Sequence, residues 1–179
     1  EFDANVRVAL KGLFRKGDPA GIGKPAATAM IRKAGGFFGD LGDAVGPLAG
    51  LAKAQHMSVD EDVISEADLN VYTAALERNG FFGPSAWYVN MEANANYSAA
   101  SLNSGRLNMP VLFVGATYDY TCETINSRAK EPMQKLCDDL TLDVIKSGHW
   151  MPQEKPVEVN GVLTRWLATK VADIWPRPE

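Results

Sequence analysis

Phe2, Val6, Ala9, Leu10 and Leu13 recur at three- and four-residue spacing, with Asn5, Arg7 and Lys11 off that face. This spacing predicts an amphipathic helix over residues 2–14. The pattern then dissolves. Residues 17–62 carry Gly17, Pro19, Gly21, Gly23, Pro25, Gly35, Gly36, Gly39, Gly42, Gly46, Pro47 and Gly50, and read as a long irregular excursion with one short helix near residues 26–33. Stretches of this kind inside a compact domain serve as lids, binding loops or mobile segments.

Order returns at Ile64. Ser65 and Asp68 fit a helix N-cap and its N3 partner, and Ile64 with Leu69 fit a hydrophobic staple across that cap. Leu69, Tyr72 and Leu76 then share one face, and Asn79-Gly80 stops the helix. Pro84 is expected to open another helix carrying Trp87, Tyr88 and Met91, and Asn103 to Gly105 form a turn.

The periodicity changes at Asn108. Residues 109–116 (MPVLFVGA) form a near-continuous apolar run rich in Val and Phe, the signature of a strand buried on both faces of a parallel sheet. A loop over 117–122 leads to a helical stretch through Cys137. Residues 140–145 (LTLDVI) read as a second strand and 147–153 as a second loop. Pro156 opens a closing helix with Val159, Val162, Leu163, Trp166 and Leu167 on one stripe, and the tail over 176–179 is expected to be disordered. Strand, helix, strand, helix is the α/β pattern of a parallel sheet.

Composition narrows the function. The 179 residues are 46% apolar, enough for a real core. Eighteen Lys and Arg against 22 Asp and Glu give a net charge of -4, so no broad cationic face for nucleic acid is expected. No apolar run approaches the ~20 residues of a membrane span. Two His and two Cys, scattered along the chain, cannot build a Cys/His zinc cluster, and no metal site is expected.

In open parallel sheets, ligands bind beyond the carboxyl ends of the strands. Asp119 follows the first strand and His149 the second. A carboxylate can hold one imidazole nitrogen while the other acts as a general base, which is the orienting half of a catalytic triad. Acid before histidine is the chain order of α/β-hydrolases. Each residue alone is weak evidence, since a turn Asp often serves local hydrogen bonds and a His beside Trp is often a packed ring.

Residues 64–97, and above all GFFGPSAWYVNME within them, resemble the end of the lid in soluble epoxide hydrolases. Residues 109–120 are similar to that family's acid-bearing strand and loop, and 147–153 to its Gly-His-Trp loop. Leu13-Phe14-Arg15 and Ala34-Gly35-Gly36-Phe37 are compatible with it as well. The likeness covers most of the chain, most strongly residues 64–156. It implies an α/β fold: the C-terminal part of an α/β-hydrolase core over residues 106–179, preceded by a mainly helical lid over residues 1–105. It also implies that His149 is the base activating hydrolytic water, Asp119 its orienting acid, and Tyr88 one of two lid tyrosines that donate to the epoxide oxygen. Trp87 and Trp150 would line the substrate site. No cofactor is implied. The alternative for Tyr88 is simple packing beside Trp87 and Met91, and for Trp150 a place in the core.

The chain departs from that family in lacking a Gly-x-Asp-x-Gly or Gly-x-Ser-x-Gly elbow. The nucleophile, its oxyanion loop and the second lid tyrosine all belong to the first half of the fold. The expected partner is therefore an N-terminal half of the same enzyme, the sequence having begun within a helix. The expected substrate is a small hydrophobic epoxide, and a homodimer is left open. Haloalkane dehalogenase or esterase chemistry on the same fold, and a non-catalytic ligand-binding homologue, are the competing readings. The expected location is cytoplasmic, or secreted if the N-terminal half carries a signal peptide.

Three lesser signals carry little. Residues 17–24 (GDPAGIGK) imitate a phosphate loop, but the spacing is one residue too long and Pro25 stands where a magnesium-binding hydroxyl belongs. Asn96-Tyr97-Ser98 is a glycosylation triplet that counts only in a secreted protein. Cys122 and Cys137 flank the expected helix too far apart for a disulfide, and free thiols fit a reducing compartment. With two strands and no neighbours, the isolated chain is expected to be unstable or to aggregate through the edge at residues 109–116.

Overall fold

The structure, a computed structural model, describes residues 2–24, 26 and 54–171. The chain forms two compact units: Glu1–Lys16 with Pro25–Asn96, and Gly17–Lys24 with Tyr97–Glu179. The expected short helix at 26–33, the Ala34 to Phe37 segment and the 176–179 tail lie outside the described residues.

The first unit is helical. Phe2–Ala4 is a single 3-10 turn, and helix α1 runs over Val6–Leu13. Val6, Ala9 and Leu10 are buried as the spacing predicts, but Leu13 is half exposed and Phe14, at the C-cap, takes the buried place instead. Helix α2 (Glu66–Asn79) packs against α1. Gly12 brings α1 close to Ala54, whose Cβ a side chain at position 12 would meet at 3.0 Å. Arg7 donates to Asn70 at 2.7 Å and pairs with Glu66 across the two helices. Lys11 and Arg15 reach the carbonyls of Met57 (2.9 Å) and Ser58 (2.8 Å), tying the segment before α2 to the end of α1.

Helix α2 begins and ends as its sequence dictates. Ser65 Oγ accepts from the Asp68 N–H at 3.1 Å, with Ile64 and Leu69 both buried. Gly80 ends the helix at φ +70°, a conformation that favours glycine. The buried face differs from the expected one. Leu69 and Thr73 are buried, while Tyr72 is nearly half exposed. Thr73 fits because its hydroxyl is satisfied by the Leu69 carbonyl at 2.7 Å, and Tyr72 instead lays its ring 5.4 Å from that of Phe14.

Helix α3 spans Phe82–Val89, so Pro84 lies within its first turn rather than opening it, and α4 (Met91–Ala99) follows after Asn90. Neither helix buries a residue. The turn at Asn103 to Gly105 forms, with all three residues at positive φ.

The second unit holds β1 (Leu107–Ala116), α5 (Glu131–Leu136), β2 (Cys137–Ile145), α6 (Met151–Glu154) and α7 (Pro156–Lys170). The strands are parallel, in register from Pro110 opposite Asp139 to Ala116 opposite Ile145. The register slips between Leu107 and Pro110, where proline offers no N–H to the ladder. Both strands start earlier than the apolar runs suggest. Arg106 pairs with Asp138 and Lys170 with Asp139 at 3.0 Å, which lets two acidic residues join the start of β2.

The helix expected before Cys137 shrinks to the six residues of α5 and a 3-10 turn over Arg128–Lys130. Upstream of it, side chains capture the backbone: Asp119 accepts from Thr121 and Cys122, and Glu123 from Asn126 at 2.6 Å. Such local bonds compete with helix formation. Part of the expected loop at 147–153 is the one-turn helix α6. Helix α7 lies on β2, with Val162 buried, Val159, Trp166 and Leu167 half-buried and Leu163 more exposed than expected. Arg165 anchors it to Asp143 at 2.6 Å.

The expected two-sided burial of β1 is not met within this chain: Val111 to Val114 are half-buried and Met109 is 52% exposed. Cys122 and Cys137 remain thiols. No helix among the described residues is long and apolar enough to cross a membrane.

Candidate active site

The two loops that leave the sheet are sewn together by backbone groups. Beyond the last strand pair, the Thr117 N–H donates to the Ile145 carbonyl at 2.9 Å, and the Thr117 hydroxyl to the same oxygen at 3.1 Å. The Tyr118 N–H donates to the Ser147 carbonyl at 2.9 Å. The parallel ladder thus runs two residues past the end of β1. That extension sets the next residues of each loop side by side.

Those residues are Asp119 and His149. The imidazole Nδ1 lies 3.1 Å from Oδ2 and 3.2 Å from Oδ1 of the carboxylate. Asp119 Oδ1 also accepts the N–H groups of Thr121 and Cys122, each at 2.9 Å, so the carboxylate is fixed from its own loop before it meets the ring. An ionised carboxylate only accepts, so Nδ1 carries the proton and Nε2 keeps its lone pair. The Asp119 side chain is 16% exposed and that of His149 39%. The acid is sheltered and the base reaches solvent.

The electrostatics follow from this geometry. Burial by itself would push Asp119 up, but the His149 hydrogen bond, the Cys122 N–H, the charge on His149 and the Thr121 N–H together bring it below the ordinary carboxylate value. The hydrogen bond to Asp119 raises His149 above the ordinary imidazole value, opposed by burial and helped by the Asp119 charge. An imidazole so oriented, with a free Nε2 and strengthened basicity, can take a proton from water.

Trp150 stands edge-on to His149, with ring centroids 5.3 Å apart at 75°, and is half-buried. The structure therefore brings together Asp119, His149 and Trp150. Trp87 and Tyr88 sit on α3, the latter in the helical unit. They are 78% and 62% exposed, and Met91 is 69% exposed, so none of the three side chains is buried.

Two features escape a reading of the sequence. Glu154, on α6, accepts the Gly148 N–H at 2.9 Å and the Gly17 N–H at 3.0 Å through a single oxygen, Oε2. Gly17 and Gly148 are in close backbone contact: a Cβ on Gly17 would lie 2.5 Å from Gly148 N and 2.6 Å from its Cα. Gly17 belongs to the stretch that imitates a phosphate loop, and its actual role is this close approach. The one signal in the sequence is a glutamate five residues after the histidine. Among the described residues, no group of three or more His, Cys, Asp or Glu could hold a metal ion.

No protein-family model matches the chain. Bifunctional epoxide hydrolase 2 of Sus scrofa is 29% identical over 171 residues, 94% of this chain and 27% of that protein. Epoxide hydrolase B of Mycobacterium tuberculosis is 36% identical over 107 residues, 58% of this chain and 29% of that protein. Among solved structures, epoxide hydrolase A of Mycobacterium thermoresistibile superposes with a TM-score of 0.65 at 21% identity, covering 94% of this chain and 47% of that one. The chain thus spans under a third of the length of the curated relatives it matches. In sequence and in fold, the chain resembles the C-terminal region of epoxide hydrolases of the α/β-hydrolase fold.

Proposed function

We propose that this chain supplies the base, its orienting acid and a lid tyrosine of an epoxide hydrolase, which converts an epoxide and water into a vicinal diol. The observation that carries the reading is the contact of His149 Nδ1 with Asp119 at the carboxyl ends of adjacent parallel strands. Residues 1–105 act as the lid and residues 106–179 as part of the core. The nucleophile is an aspartate of the N-terminal part of the fold, outside these 179 residues.

In the first step that aspartate attacks an epoxide carbon. The carbon–oxygen bond of the ring breaks, an alkyl ester forms, and the released alkoxide takes a proton from the Tyr88 phenol. A leaving alkoxide needs a placed donor, and a phenol such as that of Tyr88, 62% exposed on α3, can supply the proton. In the second step His149 Nε2 takes a proton from water, whose oxygen attacks the ester carbonyl. The ester bond breaks, the imidazolium gives its proton to the departing alkoxide so that the diol leaves, and the proton left on the regenerated aspartate carboxyl restores the Tyr88 phenol. Asp119 holds the ring and stabilises its charged form during that interval. The family resemblance gives Trp87 and Trp150 as lining residues for a small hydrophobic epoxide, and Trp150 stands edge-on to His149. The two thiols suit a cytoplasmic setting.

The test is diol formation from an aryl epoxide by this chain together with its nucleophile-bearing segment. His149→Gln is expected to remove activity, and full activity in that variant removes His149 from the mechanism. Tyr88→Phe is expected to lose about tenfold or more. A smaller loss withdraws the donor role.

A further inference from the structure

The pair Asp119 and His149 is held on one side by the extended β-ladder, which fixes the loop after β1. The loop after β2 has a second support that the hydrolytic reading does not use. Gly148, the residue before His149, is buried, and its N–H points at Glu154 Oε2 (2.9 Å). The Gly17 N–H reaches the same oxygen at 3.0 Å. Two peptide donors converging on one carboxylate oxygen form a clamp with a defined direction, because charge-assisted bonds of this kind are shorter and stronger than neutral ones. The clamp works only if both donors come close, and the missing Cβ atoms at Gly17 and Gly148 permit that approach.

We propose that Glu154 is a positioning residue for His149: one carboxylate oxygen pins the Gly148 peptide against Gly17 and so fixes the backbone from which the imidazole reaches Asp119. Glu154 does not touch the ring; Asp119 is the charged group that acts on it, and Trp150 is the ring that flanks it. The inference rests on the reading of His149 as the base. Its test reads the ring itself, without turnover, so it can fail while the hydrolytic reading stands, and the reverse.

The experiment is an NMR titration of the imidazoles in the full chain, histidine being isotopically labelled in this chain alone. Only His56 and His149 then report, with or without a nucleophile-bearing segment present, and His56 serves as the internal reference. Glu154→Ala should lower the His149 midpoint by about half a unit or more, towards the ordinary value of about 6.5, as the contact with Asp119 loosens. Glu154→Gln keeps an oxygen that can accept both N–H groups, and should hold the midpoint within about 0.2 of the unsubstituted chain. Gly17→Ala leaves the carboxylate intact but forces the backbones apart, and should move His149 in the same direction as Glu154→Ala. A merely structural glutamate would alter stability without moving the His149 midpoint. An unmoved His149 in folded Glu154→Ala overturns the proposal, as does a Gln variant that shifts as far as Ala. Should the Ala variant fail to fold, Glu154→Asp, shorter in reach by roughly 1.5 Å, takes its place. An unmoved His149 there overturns the proposal equally.

Discussion

The helical unit and the α/β unit reach order by different means. In the first, Val6, Ala9, Leu10, Phe14, Val63, Ile64 and Leu69 are all buried, and the cap at Ser65 and the stop at Gly80 frame the helix they pack on. In the second, Ile145 and Val162 are the buried large apolar residues among those described, although its strands carry the longest apolar runs of the sequence. What orders it is the parallel ladder, the ion pairs of Asp138, Asp139 and Asp143, and the hydrogen bonds that gather its loops. The difference shows where the two kinds of residue do their work. Apolar packing stabilises the helical unit, and polar geometry builds the contact of Asp119 with His149.

The largest expected effect breaks this comparison on the side of chemistry. In the protein complete with its nucleophile, His149→Gln should cost about 10²-fold to 10⁴-fold in diol formation and little in folding, because the ring is more than a third exposed. Turnover against chemical denaturation of the same variant checks it; equal losses in both would make His149 a packing residue.

Next in size is the packing itself. Leu69 is fully buried, so Leu69→Ala should destabilise the helical unit by about 2–5 kcal/mol. Leu142 on β2 is 46% exposed, and Leu142→Ala should cost less than about 1 kcal/mol in the chain alone. Urea unfolding monitored by hydrogen exchange separates the two units. If the nucleophile-bearing segment covers the sheet, its addition should raise the cost of Leu142→Ala and leave that of Leu69→Ala unchanged. A smaller effect probes the frame of α2: Ser65→Ala should cost about 1 kcal/mol, read by the same unfolding midpoint.

The smallest expected effect is electrostatic. The raised His149 value means that its pairing contributes fully below about 6.5 and fades as the pH climbs through the folded-state value. The lowered Asp119 value means that its contribution is present above 3.8 and is lost as the pH falls through the depressed value. The pair therefore stabilises the α/β unit most between these two limits. Because the imidazole is more than a third exposed, solvent screening keeps the effect below about 1 kcal/mol. Thermal midpoints of the unsubstituted chain and His149→Gln, compared across pH, should differ most inside that window. A flat difference would remove the pair from the stability of the unit. For turnover the same shift places the acidic limb above 6.5.

The elements whose physics is local were legible in the sequence. The capping residues at Ser65 and Asp68, the stop at Gly80 and the register-bearing apolar runs of both strands all appear where their neighbours require them. The pair Asp119 and His149 was legible because strand ends in parallel sheets are where polar residues meet. What stayed hidden depends on distant partners. The early start of β2 needs Arg106 and Lys170 to meet Asp138 and Asp139, and Thr73 displaces Tyr72 from the buried face because its hydroxyl finds a carbonyl one turn away. Glu154 was hidden for the same reason, since its two donors are separated by 131 positions, Gly17 to Gly148.

The claim that His149 acts in the second step and not in the first is tested most directly by trapping the ester. The His149→Gln chain, joined with its nucleophile-bearing segment and given an aryl epoxide, is followed by mass spectrometry of the intact proteins. One substrate mass is expected on the segment that holds the nucleophilic aspartate, with no diol released. Sustained diol release without a covalent adduct, or an adduct on this chain instead, would contradict it.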